Sequence, residues 1–248
     1  MPTLHLLGTG AAVSDPHRTT TMLAVTDGRS SVVVDCGGDV LQRVMAAGIE
    51  VDTIDALIVT HEHPDHVGGF PLFMEKIWLS DRHRPIPVYG ISTAIGQAQR
   101  SFEAFDTSSW TGMPEIQWHE IPLEEGARVL DGEAWHVTAS PGVHGIPVIG
   151  LRFSHGQSPA SVTYSCDTRP ADSIMRLARG TDILVHEATG EGPWHSSPEE
   201  AARIAAQAEA NKLILVHLSP GCTERNLEKA RAVFAETYLG EELGRYEF

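Results

Sequence analysis

The chain has 248 residues, with 18 Lys and Arg against 33 Asp and Glu, which gives a formal charge of −15. The composition, 42% hydrophobic and 21% charged, is typical of a globular protein that can bury a core without disulfide bonds. The acidic balance argues against broad binding to a polyanion, although bound metal ions could reverse the charge locally for a small phosphorylated substrate. No apolar run is long enough for a membrane span, and the N-terminus lacks the pattern of a signal peptide. Three cysteines are an odd and sparse set, so we expect no disulfide framework and a cytoplasmic location.

The first half of the chain predicts short strands with tight turns, followed by alternating strands and helices. Asp27-Gly28 has the chemistry of a hairpin turn, and Gly48 is a typical helix stop. The predicted elements in chain order are a strand over 4–8, a hairpin over 20–37, a helix over 39–48, a buried strand over 54–60, a helix within 66–80, a strand over 86–90 and a helix over 92–105 that Ser92 or Thr93 could cap.

The second half repeats this order. The predicted strands cover 116–122, 133–142, 147–155, 161–168, 181–189 and 212–218. The predicted helices cover 170–180, 197–210 and 223–238, the last of which Thr223 could cap.

Both halves therefore predict an α/β fold of two mixed sheets with helices on the outside. No linker, low-complexity tract or charge block divides the sequence, and we find no repeat of about 20–50 residues. We expect residues 1–248 to form a single domain.

Four potential metal ligands follow the apolar strand within six residues: His61, His63, Asp65 and His66. If His61 and His63 keep strand geometry, their side chains share one face about 6.6 Å apart and could reach one ion. Pro64 turns the chain, so Asp65 and His66 could point to a second position nearby. Imidazole and carboxylate suit a divalent metal such as zinc. The segment is not an HExxH motif, because position 65 is Asp and Pro64 would break the required helix.

Three further candidate ligands occur at or just past the ends of later predicted strands: His144, Asp167 and His217. Each alone is open to a plainer interpretation, as a loop histidine, a helix-capping aspartate or a strand-end histidine. Together with the first cluster, their order favours a shared metal site, because one loop cannot complete two tetrahedral sites.

This order of motifs resembles the metallo-β-lactamase superfamily and, within it, the ribonuclease Z-like branch. The resemblance covers nearly the whole chain. It rests on LGTGAA at 7–12, VDCGGDVLQRV at 34–44, THEHPDHVGGFPLF at 60–73, VHGIPVIGLRF at 143–153, SCDTRP at 165–170, HEAT at 186–189 and HSS at 195–197.

The resemblance implies a four-layer αββα sandwich and two divalent ions, zinc by expectation, with manganese as an alternative. The first ion would be held by His61, His63 and His144, and the second by Asp65, His66 and His217. Asp167 would bridge the two ions. A bridging hydroxide would attack phosphorus in line, and Asp65 could also orient it.

The resemblance also implies a proton-transfer pair, in which Glu187 steers His195 to protonate the leaving oxygen. The plainer interpretations are a strand-end acid for Glu187 and a loop residue for His195. By resemblance, Asp35 supports the metal loop without binding metal. We expect Cys166 to be a buried small hydrophobe, and we assign His186 no role.

The sequence departs from the tRNA-processing members between the third-histidine and aspartate segments. Those members carry a long arm, rich in Gly, Pro and basic residues, that grips the tRNA body, whereas residues 153–166 here contain no Lys or Arg. We therefore expect a phosphodiesterase acting on a small or unstructured phosphoester, and we disfavour a structured tRNA substrate.

The alternatives are a tRNA 3′-end endonuclease, an arylsulfatase-like or lactonase-like hydrolase and, least favoured, a non-enzymatic metal-binding protein. A homodimer is one expectation for the partner, and no membrane is expected. Phe102, Phe105 and Trp110 could form a pocket rim or a dimer contact, with core packing as the default.

Overall fold

A computed structural model of the protein describes residues 1–156, 158–222 and 224–248. The chain forms two compact units, and each contains one seven-stranded mixed sheet with its own helices. The first unit comprises residues 1–8, 20–121 and 243–247, and the second comprises residues 9–19, 122–242 and 248. The prediction of two mixed sheets is confirmed, while the prediction of a single domain stays a prediction.

The sheet of the first unit has the order β14-β1-β2-β3-β4-β5-β6. Its pairings are antiparallel from β14 to β3 and parallel from β3 to β6. The strands are β1 (Thr3–Gly8), β2 (Met22–Thr26), β3 (Ser31–Val34), β4 (Ile54–Val59), β5 (Ile86–Gly90), β6 (Ile116–Glu120) and β14 (Arg245–Glu247). The helices are α1 (Val40–Ala46), α2 (Pro64–Val67), α3 (Phe70–Leu79) and α4 (Ser92–Glu103), with a 3₁₀ turn at Val51–Thr53.

The sheet of the second unit has the order β13-β12-β11-β10-β9-β8-β7. Its pairings are antiparallel from β7 to β10 and parallel from β10 to β13. The strands are β7 (Ala127–Asp131), β8 (Trp135–Pro141), β9 (Ile149–His155), β10 (Ser161–Tyr164), β11 (Ile183–Glu187), β12 (Lys212–Val216) and β13 (Thr237–Leu239). The helices are α5 (Asp172–Leu177), α6 (Pro198–Gln207) and α7 (Glu224–Val233).

The inner parallel strands are largely apolar because both of their faces are covered. Every residue of β4 except Asp55 is fully buried, and α6 packs on β11 and β12 over a cluster of alanine and leucine side chains. The carboxyl ends of parallel neighbours meet at one edge of a sheet, which is where α/β proteins place their functional side chains. Two sheet edges therefore position the candidate residues. In the first unit it is the edge after β3 and β4, and in the second unit it is the edge after β10, β11 and β12.

Several local predictions are wrong. Helix α4 begins at Ser92, but its N-cap is Ile91, and no side chain caps the helix. The segment around Tyr238, predicted as helix, is strand β13, and the short edge strands β7 and β14 are absent from the prediction. The predicted cap of α7, Thr223, lies outside the described residues.

Candidate functional site

The metal-loop residues of the first unit lie directly after β4. The strand ends at Val59, so His61 and His63 are in a loop, and the condition that they keep strand geometry is not met. The loop nevertheless brings His61 Nε2 and His63 Nδ1 to 3.0 Å from each other, and His66 Nε2 lies 3.5 Å from Asp65 Oδ2. Within this unit, the four predicted ligands thus form two close pairs.

Asp35 orients this loop. It follows β3, and its buried carboxylate accepts hydrogen bonds from the backbone N–H and the hydroxyl of Thr60 at 2.8 and 2.9 Å. His66 Nδ1 donates to the same carboxylate at 2.8 Å. Burial raises the pKa of the Asp35 carboxyl, and the nearby His66 and the Thr60 hydrogen bonds oppose that shift. The expectation that Asp35 supports the metal loop agrees with these contacts.

These hydrogen bonds also fix which nitrogen of each imidazole carries a lone pair. The Thr60 hydroxyl donates to Asp35, so His61 Nδ1, 3.2 Å from Thr60 Oγ1, acts as the donor in that contact. His66 donates through Nδ1 as well. Both rings therefore carry their lone pair on Nε2, the arrangement found in metal-ligating histidines.

Close backbone approach restricts Gly37, which lies just after β3 in the first unit. A Cβ atom at Gly37 would lie 1.7 Å from the backbone carbonyl oxygen of Asp65, so no side chain fits at that position. The segment after β3 and the metal loop are therefore in direct backbone contact, and Cys36 N donates to His66 O at 2.7 Å in the same region.

The second unit places its predicted ligands at the ends of parallel strands. Asp167 follows β10, His217 follows β12, and His217 Nε2 lies 3.3 Å from Asp167 Oδ2. The Thr189 hydroxyl donates to His217 O at 3.0 Å, so His217 Nδ1, 2.6 Å from the same hydroxyl, acts as a donor to it. His144 Nδ1 donates to the Trp194 carbonyl at 3.0 Å. His144 and His217 also carry their lone pairs on Nε2.

The two residues of the predicted proton-transfer pair, Glu187 and His195, are in contact in the second unit. His195 Nδ1 lies 2.9 Å from Glu187 Oε1, the carboxylate is fully buried, and the imidazole is 28% exposed. This contact leaves Nε2 of His195 as the nitrogen that can deliver a proton. Ligand atoms of Glu187, His195 and His217 all lie within 4.8 Å of one another. The pair is therefore adjacent to a predicted metal ligand.

Glu187 has further partners that the sequence does not reveal. Its carboxylate accepts hydrogen bonds from the backbone N–H groups of Thr168, Thr189 and Ser196 at 2.9 to 3.1 Å. The Ser196 hydroxyl donates to Thr168 O at 2.7 Å. The segments that contain Asp167, Glu187 and His195 are thus bound to one another through a single carboxylate. Backbone donors leave no signal in a sequence, although Thr189 and Ser196 do belong to the HEAT and HSS segments.

Three non-glycine residues at these strand ends have positive φ angles: Asp35 at 60°, Cys166 at 53° and His217 at 52°. The left-handed region is sparsely populated by such residues, which concentrate there at functional sites. Each one turns the chain sharply within two residues of a strand end. These turns direct the adjoining side chains toward the edge of the sheet.

Two other residues close to the candidate site are fully buried. The prediction that Cys166 is buried is confirmed. His186 is also fully buried, donates through Nδ1 to Glu187 O at 2.8 Å, and has its pKa lowered by burial.

The donor sets fit divalent ions chemically. Each unit offers imidazole and carboxylate groups, four of the imidazoles are held by a hydrogen bond on the nitrogen away from the proposed ion, and these ligand types suit zinc. His63 differs, because its Nδ1 faces His61. Among the described residues, no helix has the length and apolar character that crossing a membrane requires.

Comparisons with known proteins agree with this chemistry. Residues 30–218 match the family described as "Beta-lactamase superfamily domain". The chain is 28% identical to ribonuclease Z of Methanothermobacter thermautotrophicus over 96% of this chain and 94% of that protein. It is also similar in structure to the metallo-β-lactamase fold protein YhfI from Bacillus subtilis (TM-score 0.83, 22% identity, covering 100% of this chain and 99% of that one). The short form of human tRNase Z is similar as well (TM-score 0.81, 24% identity, 99% and 98% covered). The chain thus has the metallo-β-lactamase fold and belongs to that superfamily of metal-dependent hydrolases.

Proposed function

We propose that the protein hydrolyses phosphodiester bonds with two divalent metal ions, zinc by preference and manganese as the alternative. One observation carries this proposal: the buried Glu187 carboxylate holds His195 at 2.9 Å, beside the predicted ligand His217. A proton donor next to metal ligands suits a reaction whose leaving group is an alkoxide. The proposed ligands are His61, His63, Asp65, His66, His144, Asp167 and His217.

The ions, when bound, would activate a water molecule and neutralise charge on the phosphoryl oxygens. The residues of the chain would supply position and protons. Asp65 would orient the attacking water, whose oxygen forms the new bond to phosphorus. His195 would deliver the proton from Nε2 to the leaving oxygen as the phosphorus–oxygen bond breaks. One diester and one water molecule would give a monoester and an alcohol.

Glu187 would hold His195 in the tautomer that this transfer needs. With Nδ1–H donated to the carboxylate, the exchangeable proton sits on Nε2. The negative carboxylate also favours the protonated imidazole, which is the form that acts as an acid.

The relatives favour a particular substrate, the 3′ end of a precursor tRNA. Ribonuclease Z proteins and the human short-form tRNase Z match this chain over nearly its full length. This candidate is better supported than the small phosphoester that the sequence alone favours.

A small or unstructured phosphoester is the second candidate, and a specific observation favours it. The alignment with the archaeal ribonuclease Z spans 293 positions but covers only 96% of these 248 residues, so about 55 of its positions have no counterpart here. Residues 153–166 contain no Lys or Arg, and the net charge is −15. Because affinity for nucleic acid depends on how many phosphates the protein neutralises, this chain would bind a folded tRNA weakly.

One substrate panel tests both candidates. Bis(p-nitrophenyl) phosphate, a sulfate ester, a lactone and a precursor tRNA are compared under one metal condition at physiological salt. Cleavage of the phosphate diester supports the general proposal, and accurate 3′-end cleavage of the precursor selects the tRNA candidate. Turnover of the lactone or the sulfate ester alone would contradict phosphodiester hydrolysis.

The cysteines and one exposed apolar region support proposals for location and assembly. The three cysteines fit a reducing compartment, so we place the protein in the cytoplasm. Phe105 and Trp110 line a cavity of about 240 Å³ in the first unit with Pro71, Leu72 and Glu75, and this exposed apolar region could serve a homodimer.

A further inference from the structure

Trp194 is the most exposed of the five tryptophans, with 47% of its surface accessible, whereas the other four are half-buried or buried. It directly precedes His195, and its carbonyl oxygen accepts the hydrogen bond from His144 Nδ1 at 3.0 Å. The rings of His144 and His195 are 5.0 Å apart. An exposed indole thus stands beside the predicted proton donor and one predicted metal ligand of the same unit.

The indole is supported on one face. A Cβ atom built at Gly145 would lie 3.9 Å from each of three ring atoms of Trp194, Cγ, Cδ2 and Cε2. Equal distances to three atoms spread across the ring place the Gly145 backbone over the face of the indole and not at its edge. Because half of the side chain remains accessible, the opposite face is the one open to a ligand.

The loop around Trp194 provides an aromatic surface for stacking but no cationic side chain. Residues 190–194 are Gly, Glu, Gly, Pro and Trp, so the loop has no Lys or Arg to hold a phosphate, and its one charged side chain is acidic. A supported, exposed indole can stack on a planar ring whatever the sequence of a nucleic acid, since every base has a π face.

We propose that Trp194 is a stacking platform for a nucleobase on the leaving-group side of the substrate. This inference rests on the proposed function, in which His195 protonates the leaving oxygen. A donor must come within about 2.6–3.2 Å of the oxygen that it protonates. The group attached to that oxygen then lies next to the residues adjoining His195, of which Ser196 is buried and Trp194 is exposed. The substrate class is a phosphodiester whose leaving group is a nucleoside.

Adenosine binding tests the platform without hydrolysis. NMR titration with adenosine, and with ribose as the ring-free control, is performed on wild type, Trp194→Ala, Trp194→Phe and Tyr238→Ala. Tyr238 is 39% exposed on β13 of the same unit and serves as the matched aromatic control. We expect Trp194→Ala to weaken adenosine binding about 5- to 150-fold, the range that corresponds to one stacked base. Trp194→Phe should restore most of the loss, Tyr238→Ala should change nothing, and ribose should bind to none of the proteins.

Kinetics provide the second measurement. Two diesters are compared that differ only in their leaving group, which is a nucleoside in one and methanol in the other. In Trp194→Ala, the ratio of kcat/KM for the nucleoside diester to kcat/KM for the methyl diester should fall about 5- to 150-fold, mainly because KM for the nucleoside diester rises. Equal adenosine affinity in wild type and Trp194→Ala, or an unchanged ratio, would overturn the platform. If no diester is hydrolysed at all, the proposed function fails, and the adenosine titration still decides whether Trp194 stacks a base.

Discussion

We expect Glu187 to contribute to stability as well as to the proposed proton transfer. Its carboxylate satisfies three backbone N–H groups, and Glu187→Ala would leave these groups without an acceptor, two of them fully buried. An unsatisfied buried donor costs about 1–3 kcal/mol, so we expect the free energy of unfolding to fall by about 3 kcal/mol or more. Urea unfolding in the presence of a chelator measures this change without a contribution from metal.

The control for that experiment is Glu191→Ala, an exposed acid four residues away that should change the stability by less than about 0.5 kcal/mol. If Glu187→Ala were as stable as Glu191→Ala, the three amide contacts would contribute nothing measurable.

We expect His195 to act in the proposed chemistry and to contribute little to the stability of the fold. His195→Ala should lower turnover by about 10²-fold or more and leave the metal content intact, since general acids contribute about 10²–10⁴. The loss should shrink for leaving groups that need little protonation, such as p-nitrophenolate. Steady-state rates on a series of diesters with graded leaving groups provide the measurement, and equal losses throughout the series would remove the acid role.

Helix α6 carries the cap that α4 lacks. The Ser197 hydroxyl accepts from Glu200 N, and the Glu200 side chain accepts from Ser197 N, which together form a capping box. In α4, Ser92 is the first helical residue and makes no capping hydrogen bond. Ser197→Ala should therefore cost about 1 kcal/mol of unfolding free energy, while Ser92→Ala should be close to neutral. Thermal unfolding of both variants measures the two changes in stability, and equal losses of unfolding free energy would contradict the prediction.

The elements that the sequence predicts correctly are those with strong local signals. Strand β4 is apolar at every position except Asp55, and α6 has both its cap and its apolar face in the sequence. The errors occur where distant pairing decides the outcome. Ala235 and Glu236 favour helix, but the next three residues pair with β12 as strand β13. The edge strand β7 alternates buried and exposed positions over only five residues, which is too short a signal.

For the candidate site too, the sequence predicts some features and not others. The ligand types and their spacing are visible in the sequence, and each unit brings its own predicted residues close together. The hydrogen-bond partners that orient them are not visible, because Thr60 acts through its backbone and hydroxyl and Thr168 through its backbone. Complete assembly of the seven ligands around ions stays a prediction.

The metal content of the purified protein tests the prediction of a two-metal site. Protein purified without chelator should contain close to two divalent ions per chain by elemental analysis, and removal of the ions should lower the melting temperature, because ligands that bind only the folded state stabilise it. Asp167→Ala should lose occupancy, whereas Asp172→Ala, which changes an exposed acid of the same unit, should keep both ions. Full occupancy in Asp167→Ala would show that this carboxylate does not bridge the ions.

The lack of space for a side chain at Gly37 limits which substitutions this protein can accept during evolution. A lineage that abandons catalysis can replace a histidine at modest structural cost, since a neutral side chain fits where an imidazole stood. It cannot replace Gly37, because the carbonyl of Asp65 occupies the place of any Cβ atom. Inactive descendants should therefore retain this glycine after their histidines have drifted, and its presence in a distant sequence would report common ancestry and not activity.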